Sequence, residues 1–182
     1  MALQALEALQ YPTGRFIRGT KAATPERRVE CVAIIDAFPG QLRSAVAGLS
    51  DAQLDTPYRP GGWTVRQLCH HLADSHMNAL IRFKWALSED HPTIKAYKQD
   101  LWSAQVDART MPVAASLEIL SGVHARWAFL LKNMAAPDFQ RTFIHPEQER
   151  TIALAETLEN YVWHGQHHLA HITGLKTRMG WE

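Results

Sequence analysis

Apolar side chains recur at helical spacing along four separate stretches of the chain. The first stretch opens on Thr24-Pro25-Glu26, a typical helix start because threonine caps, proline fits the first turn and an acid complements the helix dipole. Pro39-Gly40 inside this stretch predicts a kink or a break. Four such stretches, with no convincing period-two strand, predict an all-α protein built as a four-helix bundle. The predicted helices span about 24–49, 64–87, 112–136 and 154–178.

The segments between the predicted helices carry turn chemistry and short helical pieces. Residues 1–24 are poorly patterned and are expected to form an N-terminal arm laid over a surface. The stretch Ser50–Gln53 is a capping box and predicts a turn of helix, and Thr64–Gln67 is a second capping box at the start of the second long helix. Residues 88–111 are expected to hold a short amphipathic helix between breaks, and residues 138–151 to form a loop. A single domain over 1–182 therefore accounts for the chain.

Composition narrows the class of protein. The chain has 182 residues, 46% of them hydrophobic, which is enough to bury a full core. With 19 basic and 18 acidic side chains the net charge is +1, so we expect no nucleic-acid partner and no membrane partner held by bulk basic charge. No apolar run approaches the roughly 18 residues that cross a bilayer. Two cysteines do not make a disulfide framework, and the N-terminus lacks a signal-peptide pattern, so the expected location is cytoplasmic.

Histidine is the residue type that points to chemistry. The chain has 10 histidines, and 7 of them fall in two windows of the second and fourth predicted helices. Two histidines four residues apart on a helix project the same way and can share a metal ion. Such pairs also arise by chance, so spacing alone leaves metal binding and a purely structural role both open. The windows are His70–His76 and His164–His171.

In the fourth helix two histidine pairs compete for the role of metal ligands. His164 and His168 lie one turn apart, on a helical stripe that continues in Ile172. His167 and His171 fall in a more polar row of the same helix. The apolar stripe of an amphipathic helix faces the core. We therefore predict that His164 and His168 face the centre of the bundle.

A third ligand should come from a facing helix. His71 sits at the centre of a row on the second helix that mixes apolar and polar groups, as the wall of a wet cavity would. His70 lies about 100° away around the helix, and His76 lies on yet another face. The predicted ligand set is therefore His71, His164 and His168.

Three imidazoles without a close carboxylate or thiolate suit one divalent metal ion per chain, with zinc as the first choice and nickel as the alternative. Such a set leaves at least one position for water or substrate, which is typical of a catalytic site. Asp74 follows His71 by three residues, and Asn160 precedes His164 by four. Both are candidates to steady imidazole N–H groups from behind.

Three longer segments of the sequence resemble a known family. The chain is similar to the DinB-like superfamily, and more narrowly to its branch of YfiT-type metal-dependent hydrolases, which are related to the bacillithiol transferases. The resemblance runs from about Tyr11 to Trp181, and Gln166 stands where relatives often have a further histidine. It implies a four-helix bundle, a homodimer and one divalent metal held by three histidines. The family's ligand positions correspond to His71, His164 and His168; the segments are Gln53–Gln67, His70–Asn78 and Tyr161–Thr173.

Two chemistries suit such a site. In the first, which matches how this branch is usually labelled, a metal-activated water hydrolyses a small-molecule substrate. In the alternative, resembling the bacillithiol-type thiol S-transferases, the metal stabilises the thiolate of a low-molecular-weight thiol that attacks an electrophile. The second explains why no obvious Glu or Asp general base stands within a turn of the ligands besides Asp74, the candidate to steady an imidazole. A third hypothesis, from another class, is a non-catalytic, stress-related metal-binding module.

Overall fold

The computed structural model describes residues 2–19, 22 and 24–181, with side chains from Leu6 onward. This part of the chain folds into helices and a single small hairpin. The elements in chain order are α1 (Ala2–Gln10), α2 (Pro25–Val46), α3 (Asp51–Leu54), α4 (Val65–Ser88), α5 (Gln99–Ser103), α6 (Val106–Thr110), α7 (Ala114–Lys132), a 3₁₀ turn (Ala136–Gln140), β1 (Thr142–His145), β2 (Arg150–Ala153) and α8 (Leu154–Met179).

The four long helices form the predicted bundle. Helix α2 packs against α7 and α8, and α4 packs against the same two helices. The order around the bundle is therefore α2, α7, α4, α8, and helices that follow one another in sequence do not all stand side by side. Helix α4 faces α8 directly, which brings the two histidine-rich windows into contact.

Sequence capping signals set the starts of two helices. Thr64 accepts a hydrogen bond from the Gln67 backbone N–H at 3.1 Å, and the Gln67 side chain accepts one from the Thr64 backbone at 2.9 Å. The same reciprocal pair joins Ser50 and Gln53 at α3. These two predicted capping boxes are confirmed. The capping box at Thr64 fixes the start of α4 two turns before His71.

Helix α2 does not break at Pro39-Gly40, where the sequence predicts a kink or a break. Helix α2 runs through both residues without interruption. A proline ring removes the hydrogen bond to the carbonyl four residues earlier, here that of Ile35. This carbonyl accepts a hydrogen bond from His124 Nδ1 at 2.5 Å instead, so α7 satisfies the group that α2 leaves without a donor.

Two segments predicted to be irregular contain regular structure. The arm 1–24 begins with α1, which ends just before Pro12. The expected loop 138–151 contains β1 and the first half of β2, and the two strands pair antiparallel with Phe143 opposite Ile152. Strands of four residues are too short for a clear period-two pattern. The hairpin is tied to the rest of the fold where Ile94 N–H donates to the Ile144 carbonyl at 3.0 Å.

The core consists of two apolar clusters that meet at the histidines. One surrounds Trp127 and Phe83, and the other surrounds Phe38, Leu68 and Leu72. The Phe38 ring stacks on His76 at 5.3 Å between ring centroids, and Trp127 meets the same imidazole edge-on at 6.3 Å. Within the described residues, no helix combines the length and the apolar character needed to span a membrane.

Candidate metal centre

Three imidazoles meet where α4 faces α8. One ring nitrogen from each of His71, His164 and His168 lies within 4.8 Å of the other two, and the Nε2 atoms of His71 and His164 are 3.1 Å apart. Two imidazole nitrogens that bind one tetrahedral zinc ion are roughly 3.4 Å apart, given Zn–N bonds of about 2.0–2.1 Å. The spacing of the three nitrogens therefore fits a shared ion. These are the three residues that the sequence predicted as ligands.

A chain of hydrogen bonds fixes the proton position on His164. A backbone carbonyl only accepts, so His124 Nδ1–H donates to the Ile35 oxygen and His124 Nε2 carries a lone pair. That nitrogen accepts from His76 Nδ1–H at 2.8 Å. His76 Nε2 in turn accepts from His164 Nδ1–H at 3.2 Å. The Nε2 atom of His164 is therefore unprotonated, as a metal ligand must be.

A second, shorter chain of hydrogen bonds fixes the proton position on His168. His171 Nε2–H donates to the Gln10 carbonyl at the end of α1, at 3.2 Å. Its Nδ1 atom then accepts from His168 Nδ1–H at 3.3 Å. The Nε2 atom of His168 keeps its lone pair. Both ligands from α8 are thus oriented by neighbouring imidazoles that end on a backbone carbonyl.

Burial keeps the site imidazoles neutral. Burial lowers the pKa of His71 to about 4, and burial with the neighbouring imidazoles lowers the pKa of His164 and of His168 well below the ordinary value. The pKa of His76 is also lowered well below its ordinary value by burial and by His124. Neutral imidazole is the form that binds a metal.

Close packing shields the longer chain of imidazoles. Phe38 lies against both His76 and His124, with ring centroids 5.3 and 5.5 Å apart. Helix α8 passes Phe38 at Gly165, where an added Cβ would lie 3.1 Å from the phenylalanine ring. Glycine at this position therefore allows α2 and α8 to approach while Phe38 covers the imidazoles.

The second histidine pair of α8 does not lie in a solvent-facing row. His167 and His171 are 5% and 3% exposed, which makes them more buried than His164 and His168. The N-terminal arm covers them, with Thr13 Oγ1 at 3.1 Å from His167 Nδ1. The row that holds His167 and His171 packs against the N-terminal arm. The helical periodicity of α8 alone does not reveal this contact.

The two residues proposed to steady the ligands do not hydrogen bond to them. Neither the Asp74 carboxyl nor the Asn160 amide makes a hydrogen bond with any imidazole of the described residues. Burial, with the charge of Asp107, raises the pKa of Asp74 to about 6. Asn160 instead lines a cavity beside His164. His76 and His171 perform the expected steadying role.

The sequence contains a signal for His76 and His124, the two supporting histidines that were not predicted to belong to the site. His76 lies in the buried row Leu72, His76, Ala79 on α4, and His124 lies between Leu120 and Trp127 on α7. A histidine within an apolar helical stripe is buried, so it needs hydrogen-bond partners that are also buried. The identity of those partners depended on the packing of α2, α4 and α7.

A cavity of about 660 Å³ opens beside the three-histidine cluster. His164, Ser75 and Tyr161 line it, and the hairpin contributes His145. The Tyr161 hydroxyl donates to the Ser75 carbonyl at 3.0 Å, which fixes the phenol at the cavity wall. Trp63 covers His71 from another side, with ring centroids 4.7 Å apart. The cavity has the size of a small-molecule site.

His124→Phe is expected to weaken zinc binding by about tenfold to a hundredfold, the usual effect of removing a group that orients a metal ligand. Phenylalanine fills much of the space but leaves His76 without its acceptor, so the proton on His164 is no longer fixed at Nδ1. Competition with a fluorescent chelator measures the affinity, and nitrogen-shift NMR of the imidazoles reports the tautomers. His91→Phe, at an exposed site, is the control. Equal zinc affinity and tautomers in His124→Phe and wild type would contradict the role of the hydrogen-bond chain.

The helical bundle and its three-histidine cluster define the class of protein. The family model of the DinB superfamily matches residues 34–172. The chain therefore belongs to the DinB superfamily.

Within that superfamily the chain is similar to YfiT. It is 44% identical to YfiT of Bacillus subtilis (strain 168) over 173 residues, which are 95% of this chain and 97% of that protein. It is also 44% identical over 179 residues to a protein of Geobacillus thermodenitrificans (strain NG80-2), covering 98% and 100% of the two chains. Both relatives carry the name "Putative metal-dependent hydrolase". The solved structure of Bacillus subtilis YfiT, described as a four-helix bundle of unusual topology, matches with a TM-score of 0.93 over 96% of this chain and 99% of that one.

Proposed function

We propose that the protein is a metal-dependent hydrolase in which His71, His164 and His168 hold one divalent ion, zinc first and nickel as the alternative. The observation that carries the proposal is the cluster of three imidazole nitrogens within 4.8 Å of one another beside a cavity of about 660 Å³. A three-ligand set with space for substrate is typical of catalytic zinc sites, whereas structural sites use four protein ligands.

A divalent ion bound there supplies Lewis acidity, which polarises a carbonyl and lowers the pKa of a coordinated water or thiol. The protein's own residues prepare the site for that chemistry. His76 and His171 hold the protons of His164 and His168 at Nδ1. Because these supporting groups are neutral imidazoles, no anionic charge is added behind the ligands and the ion keeps its full electrophilic character.

One observation favours thiol S-transfer as a second candidate. Among the described residues, no carboxylate joins the His71, His164 and His168 cluster or hydrogen bonds to its imidazoles. Hydrolysis ordinarily uses a general base near the attacking water. A thiol that has lost its proton on binding attacks an electrophile without a further base. The same cluster therefore supports both reactions.

Paired assays on protein purified without a metal column test the proposal. Metal-dependent cleavage of para-nitrophenyl esters, abolished by a chelator and restored by zinc or nickel, is expected for the hydrolase. Metal-dependent conjugation of cysteine or bacillithiol to a chlorodinitrobenzene, above the uncatalysed rate, is the result expected for the transferase. Bound metal with neither reaction would favour the metal-binding module. The homodimer stays a prediction, which sedimentation equilibrium would check.

A further inference from the structure

Arg82 is a half-buried cation for which the described residues provide no carboxylate partner. Its Nη1–H donates to the Tyr161 hydroxyl oxygen at 3.4 Å, a long hydrogen bond. Its Nε atom is buried and has no hydrogen-bond partner. A buried guanidinium is normally paired with an acid, because desolvation of an unpaired charge is unfavourable.

Other cations near Arg82 are paired. Lys98 forms an ion pair with Glu147 at the rim of the same cavity. Arg150 binds Glu156 through two hydrogen bonds of 2.8 and 2.9 Å. Unlike these two cations, Arg82 forms no ion pair among the described residues, so it keeps donors for a ligand.

Arg82 and His164 line the same cavity. On α4, His71, Ser75 and Arg82 share one face, with Arg82 three helical turns beyond His71. Eleven residues of helix span about 16 Å, and an arginine side chain leans back toward the helix N-terminus, which leaves roughly 10 Å between the guanidinium and the imidazoles. A small molecule can reach both.

We propose that Arg82 is the subsite for a carboxylate of the substrate, so that the cavity accepts small molecules that carry one free carboxylate, including half-esters and half-amides of dicarboxylic acids. The assignment deepens the proposed function, and its catalytic part rests on that function. The planar guanidinium offers two parallel N–H donors that match the two oxygens of a carboxylate. The carboxylate supplies the counter-charge that the fold itself omits.

A monoanion fits the cavity better than a phosphate. Glu147 and Asp100 also line it, and they repel a dianion. His145 adds no fixed positive charge, because burial and the nearby Arg82 lower the pKa of its imidazole. Arg82 therefore offers one positive charge that has no ion pair among the described residues, and the nearby carboxylates of Asp100 and Glu147 disfavour a second negative charge on the ligand, which favours a single carboxylate.

Titration of the full-length protein with benzoate and with its neutral counterpart benzamide tests the subsite. The experiment is done by calorimetry on zinc-loaded protein and again after chelation. Wild type is expected to prefer benzoate by at least about tenfold in both states, which corresponds to about 1.4 kcal/mol. Arg82→Gln is expected to remove the preference. A benzoate preference that Arg82→Gln keeps, or one seen only with zinc, would overturn the proposal, since benzoate would then be a ligand of the metal alone.

Two further variants keep the result interpretable. The double variant Lys98→Gln/Glu147→Gln removes an ion pair from the same cavity without changing its net charge, and it is expected to keep the preference for benzoate. Arg82→Lys preserves the charge without the planar fork, and it is expected to lose at least about threefold of the preference. Thermal melts verify folding of each variant. An unchanged preference in Arg82→Lys would contradict the fork geometry.

The result of the benzoate titration can be distinguished from the result of the hydrolysis assay that tests the proposed function. Benzoate binding to chelated protein requires neither metal nor turnover, so it stands even if no hydrolysis is found. If esters are cleaved, the ratio of kcat/KM for para-nitrophenyl hemisuccinate to that for the neutral butyrate is expected to fall at least about tenfold in Arg82→Gln. An unchanged ratio would show that hydrolysis occurs without a carboxylate subsite.

Discussion

His168→Ala is expected to lower zinc affinity by about a hundredfold to a thousandfold and to abolish any metal-dependent turnover. Zinc sites with four protein ligands bind with an apparent free energy of about 10–16 kcal/mol, or roughly 2.5–4 kcal/mol for each ligand. A loss of that size corresponds to two to three powers of ten in affinity. This loss of zinc affinity is larger than the loss expected for His124→Phe, because His168→Ala removes a bond to the ion itself. Metal content after dialysis, measured by mass spectrometry, checks the prediction.

The matched control is His91→Ala, which removes an exposed histidine outside the cluster. It is expected to keep wild-type metal content. His168→Ala creates only a small cavity beside Trp63, whose ring centroid is 6.4 Å from that of His168, so the variant should still fold. Retention of one metal ion per chain by folded His168→Ala protein would show that the ion binds elsewhere.

The metal-free protein is expected to lose most of its stability between about pH 6.5 and pH 4. Burial, the main cause in each case, lowers the pKa of His71, His124 and His171 to about 4 in the folded chain. Unfolding restores ordinary values near 6.5, so the unfolded chain binds more protons in this range and acid favours it. At about pH 5 the preferential protonation of the unfolded chain at each of these histidines lowers the free energy of unfolding by about 2 kcal/mol, and the three together lower it by about 6 kcal/mol. Total stability is typically about 5–15 kcal/mol.

Urea unfolding of chelated protein at a series of pH values measures this dependence. His124→Gln removes one of the three groups and is expected to flatten the curve, whereas His91→Ala leaves it unchanged. Zinc binds only the neutral imidazoles of the folded state, so saturating zinc is expected to raise stability most near neutral pH. A free energy of unfolding that is constant from about pH 7 to 5 would mean that the buried histidines do not stay neutral.

Local sequence was sufficient for most of the helical framework. Capping boxes at Ser50 and Thr64 are signals contained within four residues, and both helices begin where those signals stand. The hairpin was missed because its strands are four residues long and no pattern of alternation develops over so few positions. Pro39 was misinterpreted for another reason. The carbonyl of Ile35, which Pro39 leaves without a helical donor, accepts a hydrogen bond from His124 on α7, and the sequence of α2 alone does not reveal that donor.

The clustering of the three imidazoles could be predicted from the sequence because the spacing of residues along an α-helix determines which side chains share a face. His164 and His168 are one helical turn apart, and His71 is central to its own row, so each face is defined by its neighbours in the chain. The same reasoning misjudged His171, since Gln10, the residue of the N-terminal arm that contacts it, lies more than 150 residues earlier in the chain. It also selected Asp74, whose position three residues after His71 does not bring it into hydrogen bonding with the cluster.

The sequence by itself determined the four-helix bundle and which imidazoles cluster, because capping and helical periodicity are local properties of the chain. Only the tertiary structure decided which groups support those imidazoles. The carbonyls of Ile35 and Gln10 fix the protons of the cluster, and Arg82 has no ion pair within the part of the chain that the structure describes. Hydrogen bonds of this kind join α1, α2, α4, α7 and α8 across the bundle. Their existence depends on how the helices pack, which no single helix encodes.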